Sequence, residues 1–206
     1  MKKYLTELLG TFLLALVVGL SLRGAFPVPT PVLAALTLGL FVYTAGHISG
    51  AHINPAVTIG VWSLGKIKPK DAVIYIIAQC IGATIALYTI AALYGEAGSD
   101  LDLPLMNGFS VAAAEFLGAV FFTFGIAAVV HGKVPTDVTG VTIGGSLLLG
   151  LSIAASKSVA IINPAVALSV VGTSMSWAYL LAPVVGAVVG MNLFRWLGSE
   201  KIGDRS

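Results

Sequence analysis

Two short polar motifs stand inside otherwise apolar sequence: Asn54-Pro55-Ala56 and Asn163-Pro164-Ala165, with their asparagines 109 residues apart. Asparagine is a favoured helix N-cap. Proline is favoured at the first helical position, because its missing N–H has no intrahelical partner there. Each motif therefore reads as the start of a helix, and a helix start presents partial positive charge. Two carboxylates, Glu7 and Glu115, also lie in apolar runs. A carboxylate in such surroundings is costly and usually functional. It serves either as a proton relay or as the acceptor for N–H groups of a neighbouring loop. The remaining reactive types do not combine. His47 and His52 have no Cys or acidic neighbour in sequence to complete a metal site. The single cysteine, Cys80, excludes an intrachain disulfide and is expected to be a buried, inert thiol. No Ser/His/Asp, Cys/His or His-x-x-x-His constellation is present, and no phosphate-binding loop. The chain is therefore not expected to be an enzyme or to carry a cofactor.

The elements that must position these residues are set by composition. Of the 206 residues, 57% are hydrophobic and 10% charged, and the mean hydropathy is +0.98. A soluble domain carries roughly 25% charged residues, so the solvent expected here is lipid. The net charge of +2 is small, and the scattered basic residues exclude a nucleic-acid face. A membrane span needs roughly 20 apolar residues. Six candidates occur, at about 4–23, 31–47, 71–94, 109–130, 138–156 and 176–197. The first is too long for a signal-peptide core and is followed by Arg23 and a Pro-rich turn, so it reads as a retained span. Two apolar pieces, 55–65 and 164–173, are too short to cross, and each begins at an Asn-Pro pair. Such pieces read as re-entrant half-helices.

Basic residues orient the chain. With the N-terminus in the cytoplasm, Lys2, Lys3, Lys66, Lys68, Lys70, Lys133, Arg195, Lys201 and Arg205 fall inside, and only Arg23 and Lys157 fall outside. The expectation is a multi-pass protein of the cell membrane with both termini cytoplasmic. The two half-helices then dip in from opposite faces. The halves also repeat: Glu-x-x-Gly at Glu7–Gly10 recurs at Glu115–Gly118 with an offset of 108. We read an all-α membrane protein, with a first repeat over 1–107 and a second, inverted one over 108–206. Each holds three spans and one half-helix around one pore domain. Sites in inverted repeats tend to lie near the midplane at the repeat interface. The loops leading to the half-helices cross the rest of the membrane without helical structure, which is tolerated only where backbone lines a cavity or is buried in protein. Carbonyls of Gly50, Ala51, His52, Ser158, Val159 and Ile161 are the candidate polar track. Gly46/Gly50, Gly140/Gly144 and Gly186/Gly190, each spaced by four, read as close helix packing.

The segment from Gly46 to Thr58, Gly-His-Ile-Ser-Gly-Ala-His-Ile-Asn-Pro-Ala-Val-Thr, resembles the first signature of the aquaporin (major intrinsic protein) family. The second Asn-Pro-Ala, both Glu-x-x-Gly segments and the six-span layout agree with it, so the resemblance covers essentially the whole chain. It implies a right-handed six-helix bundle with two re-entrant half-helices, one narrow pore per protomer and a homotetramer in the lipid bilayer. It also implies that Asn54 and Asn163 donate to permeating water, that Glu7 and Glu115 brace the re-entrant loops, that His52 exposes its carbonyl to the pore, and that His47 anchors the loop.

The chain departs from that family at the position after the second motif. Most water channels of the family carry arginine there; this chain has Val166. Offsets from the asparagines place the other constriction positions at Ala34, Leu151 and Ala160. The expected filter is therefore apolar and wide, and Lys157 is the candidate replacement charge at the outer mouth. The expected function is a passive channel for water, with small neutral solutes as further cargo. The alternatives are a glycerol or small-solute facilitator and a poorly conducting structural membrane protein of the same fold.

Overall fold

The architecture is described from a computed structural model, over residues 1–94, 107–171 and 176–199. Among the described residues, eight α-helices follow one another: α1 (Lys2–Leu22), α2 (Thr30–Ser49), α3 (Pro55–Ser63), α4 (Pro69–Tyr94), α5 (Phe109–Val130), α6 (Thr139–Ala154), α7 (Pro164–Val171) and α8 (Trp177–Ser199). A single 3-10 turn, Thr136–Val138, leads into α6. Six elements are long and apolar enough to cross a membrane: α1, α2, α4, α5, α6 with its leading turn, and α8 to Gly198. The short helices α3 and α7 have 9 and 8 residues. The half-helix starting at Pro55 ends at Ser63 rather than at 65, where Leu64 and Gly65 turn the chain. Residues 172 and 173 of the other expected half-helix lie outside the described residues, as do the acidic stretch 95–106, Lys201 and Arg205.

The packing follows from lipid being the solvent. Large apolar side chains point outward: Leu36, Leu40, Phe121 and Leu149 are all more than half exposed. The interior between helices is filled instead with small residues such as Ala15, Ala83, Ala127, Ala154 and Ala187. Lipid tails are as apolar as leucine, so nothing drives large side chains inward, and small residues let helices gain dispersion contacts at short range. The clearest case is the crossing of α2 and α6. A Cβ at Gly144 would lie 2.6 Å from the Ala35 carbonyl oxygen, and one at Gly140 would lie 2.5 Å from that of Gly39. Gly186 and Gly190 of α8 sit against the Phe116 and Val120 carbonyls of α5. The Gly46/Gly50 pair is different. Gly46 meets only a side chain of its own helix, and Gly50 closes α2 at φ 91°, a left-handed cap that favours glycine. That pair is a helix terminus and not a packing contact. Cys80 is half-buried on α4, more open than the sequence suggested.

The two halves pack in the same pattern. Helix α1 lies against α4 and α5 against α8; α1 also meets α2, and α5 meets α6. The short helices cross over, α3 onto α8 and α7 onto α4, so each half is held by the other.

Candidate functional site: two exchanged asparagines in a narrow cavity

Each short helix begins as its sequence dictates. Asn54 caps α3 in extended geometry (φ −160°, ψ 121°), and its Oδ1 accepts from Ala56 N at 2.8 Å. Asn163 Oδ1 accepts from Ala165 N at 3.1 Å and from Val166 N at 3.3 Å. The cap fixes which end of each amide is oxygen, so the nitrogens point the other way. Asn54 Nδ2 donates to Ile162 O at 3.0 Å, and Asn163 Nδ2 donates to Ile53 O at 3.0 Å. The two loops are thereby cross-linked by their own caps. An amide nitrogen carries two hydrogens. One on each asparagine is used in the exchange. Both residues line the same cavity and are only 3% exposed.

The loops reach this arrangement through unusual backbone. Ala51 and Ile53 have φ of 51° and 39°, and Ala160 and Ile162 have φ of 54° and 41°. A left-handed conformation is rare for a non-glycine residue and an outlier for a β-branched one. Each costs about 1–3 kcal/mol and persists only where the surroundings over-determine it. Glu7 and Glu115, both 0% exposed, supply that constraint. Glu7 accepts from Ser49 Oγ at 2.7 Å, His52 N at 3.0 Å, Ile53 N at 2.6 Å and Gln79 Nε2 at 2.8 Å. Glu115 accepts from Ser158 Oγ at 2.5 Å, Ile161 N at 3.1 Å and Ile162 N at 2.7 Å. Ser49 Oγ and Ser158 Oγ in turn accept from Ala51 N and Ala160 N.

Supporting groups differ between the halves, and sequence reading missed them. Tyr75 donates to Ser49 O at 2.7 Å, so that carbonyl is occupied, and the Tyr75 ring packs edge-on against His52 with centroids 5.3 Å apart. Gln79 donates both to Glu7 and to Thr58 Oγ1. His52 Nδ1 lies 3.2 Å from Thr58 Oγ1. His47 takes no part: it is exposed in the last turn of α2. The loop anchor expected of it is provided instead by Ser49 and Tyr75.

Two cavities meet at this point. The narrow one has a volume of about 20 Å³, enough to admit water. Ala34, Leu151, Ala160 and Val166 all line it, together with Ile161, His52 and both asparagines. The wider one has a volume of about 440 Å³ and is lined by Gly50, Ala51, Lys3, Lys66, Lys68, Asp71 and Tyr75, among others. Lys3 pairs with Asp71 there at 2.9 Å. Leu38, His52 and Phe122 line both cavities and mark where they join. Ser158 and Val159 line neither. Lys157 also lines neither and is exposed, so it does not reach inward as a replacement charge; its backbone is held in the turn after α6 by Ala154 O. Leu14, Val18 and Leu147 line the narrow cavity beside the four expected filter positions and, like Leu151, are buried.

The family model for "Major intrinsic protein" matches residues 1–194. The chain belongs to the major intrinsic protein family. Among its relatives, Aquaporin NIP1-1 of Arabidopsis thaliana is 33% identical, over 92% of this chain and 71% of that protein. Aquaporin Z of Bradyrhizobium diazoefficiens is 31% identical, over 98% of this chain and 96% of that protein. The fold is also that of the aquaglyceroporin from Plasmodium falciparum, with a TM-score of 0.66 at 21% identity, over 98% of this chain and 96% of that one. Members of the major intrinsic protein family are channels and not enzymes. This major intrinsic protein is accordingly a multi-pass membrane channel for water and small solutes.

Proposed function

We propose that water crosses this channel in single file and is turned over at the asparagine pair. The observation that carries the reading is the reciprocal exchange Asn54 Nδ2 to Ile162 O and Asn163 Nδ2 to Ile53 O. It leaves one hydrogen on each nitrogen for a passing water oxygen. Oδ1 of each asparagine is already held by its cap. Ala34, Leu151, Ala160 and Val166 form the filter. Carbonyls of Gly50, Ala51, His52 and Ile161 form the acceptor track on either side, and those of Ser158 and Val159, which line neither cavity, stand outside it. Glu7 and Glu115 hold the loops and carry no protons across. The two halves act as an inverted repeat, residues 1–107 and 108–206, with the asparagines at its centre. Both termini face the cytoplasm, because Lys2, Lys3, Lys66, Lys68 and Lys70 share one face with the N-terminus. The channel works in the cell membrane as a homotetramer with one pore per protomer.

Glycerol and other small neutral solutes are the alternative cargo; the narrow cavity, at about 20 Å³ against about 440 Å³ for the wider one, favours water over them. Stopped-flow light scattering on proteoliposomes tests the reading. Water efflux is expected above that of empty vesicles and is expected to fall by about tenfold or more in Asn163→Ala, which removes the donor to water together with the α7 cap and the bond to Ile53 O. Efflux equal to that of empty vesicles would sink it.

A further inference from the structure

Water held by the asparagine pair has its hydrogens facing away from that pair, so it needs acceptors beyond it. One ring nitrogen on the wide-cavity side is free to be such an acceptor. We infer that the His52 side chain is a further contact of the water file: its Nε2 accepts a hydrogen bond from water, and acid removes that acceptor. The inference rests on the reading of the two joined cavities as the water path.

The bonds of Thr58 decide which nitrogen of His52 is free. Thr58 is fully buried. Its hydroxyl donates to Asn54 O at 3.0 Å and accepts from Gln79 Nε2 at 2.9 Å. A hydroxyl has one hydrogen and two lone pairs, so what it offers His52 Nδ1, 3.2 Å away, is a lone pair. Nδ1 therefore carries the ring hydrogen and Nε2 the ring lone pair. Nε2 has no protein partner among the described residues, yet it is not sealed. The sealed side-chain atoms without a partner there are Gln79 Oε1 and Ser176 Oγ. Glycine at position 50 keeps the approach to the ring open, since a Cβ there would lie 3.3 Å from Nε2. His52 lines both cavities where they join, beside Leu38 and Phe122. The repeat offset of 109 puts Ile161 at the matching position of the second half, so this side-chain acceptor has no counterpart there.

The direction of the bonds fits neutral His52. The asparagine nitrogens offer hydrogens to water, and a lone pair next along the path takes the hydrogen that such a water, or the one after it, points onward. A solvent proton taken up at Nε2 turns the lone pair into a second N–H and adds a positive charge. The ring then holds water by its oxygen and opposes its onward transfer. The charged and titratable groups facing His52 are Glu7 and Lys3 from α1, Tyr75 and Asp71 from α4, and Lys66 and Lys68 from the turn before α4. Lys3 and Asp71 are paired with each other. From α2, α3 and α5 only Leu38, Thr58 and Phe122 are set against it or beside it at the join.

Water efflux from proteoliposomes, measured with equal pH on both sides from about pH 8 down to about pH 4, across the titration range of histidine, tests this. Wild-type efflux is expected to fall about three- to tenfold in acid, the effect of one hydrogen bond lost in the path, and to recover on return to about pH 8. The chain has three histidines, and His47 and His131 line neither cavity. His47→Gln and His131→Gln are therefore expected to keep the fall. His52→Gln and His52→Asn carry an amide that does not titrate, and whichever purifies like the wild type is expected to give a flat profile. A flat or rising wild-type profile would overturn the role of His52 and leave the channel reading intact. So would a fall that survives in the His52 variant, which would assign it to another group such as Glu7. Absence of water efflux at every pH would overturn the channel reading and this inference with it.

Discussion

Gln79 donates from Nε2 to Glu7 Oε2 at 2.8 Å, giving Glu7 a fourth hydrogen bond where Glu115 accepts three from the described residues. Helices α4 and α8 correspond with an offset of 104, which aligns Tyr75 with Tyr179 and Gly82 with Gly186. Pro183 then stands where α4 has Gln79, and a proline has no amide to give. The extra bond has a cost, because Gln79 Oε1 is buried without a partner among the described residues. The first half of the channel is thus braced more heavily than the second, by a network that also ties Thr58 to the brace.

Glu7→Gln is expected to destabilise the protein more than Glu115→Gln. The amide turns one oxygen into a donor that faces Ser49 and His52 or Ile53 and Gln79. Any orientation leaves buried donors without an acceptor, at about 1–3 kcal/mol each. We expect a loss of about 2–4 kcal/mol for Glu7→Gln and roughly 1 kcal/mol less for Glu115→Gln. Thermal unfolding of both purified variants in detergent measures this, and an equal or reversed order would refute the asymmetry.

Val166 is 2% exposed on the narrow cavity, so bulk and polarity can be separated there. Val166→Arg introduces a much longer side chain at the wall of the narrow cavity and is expected to bring water efflux down to that of empty vesicles. Val166→Ala removes two carbons, at about 1–2 kcal/mol of stability, and is expected to raise efflux. Faster efflux in Val166→Arg would show that restored polarity outweighs lost space.

Gly144 and Gly145 are adjacent in α6 but face different surroundings. A Cβ at Gly144 would lie 2.6 Å from Ala35 O, whereas one at Gly145 meets nothing within 4 Å. Gly144→Ala should force α2 and α6 apart and cost about 1–3 kcal/mol. Gly145→Ala should be neutral or stabilise by up to about 1 kcal/mol through helix propensity. Comparable unfolding temperatures for the two variants would contradict the close packing at Gly144.

The sequence by itself settled what local chemistry and length settle. Span lengths, the two Asn-Pro starts and the repeated Glu-x-x-Gly segments led to six crossing helices and two half-helices, and motif offsets brought Ala34, Leu151, Ala160 and Val166 to one cavity. Local reading could not identify the other residues that line that cavity. Leu13 and Leu14 are neighbours of the same type, yet Leu13 is 42% exposed on the outer face and Leu14 is 5% exposed on the cavity. In water an amphipathic pattern would separate such residues. In lipid both faces of a span are apolar, so the periodic signal that marks an inner face is lost. Only the helix crossings decide which leucine lines the path and how narrow it becomes. The same holds for the exchange between Asn54 and Ile162, whose partners lie 108 residues apart and meet only after both loops have been bent and braced. The sequence set the donors at each helix start; the tertiary structure decided what they bond, because a buried hydrogen bond depends on which polar groups the packing brings within about 3 Å.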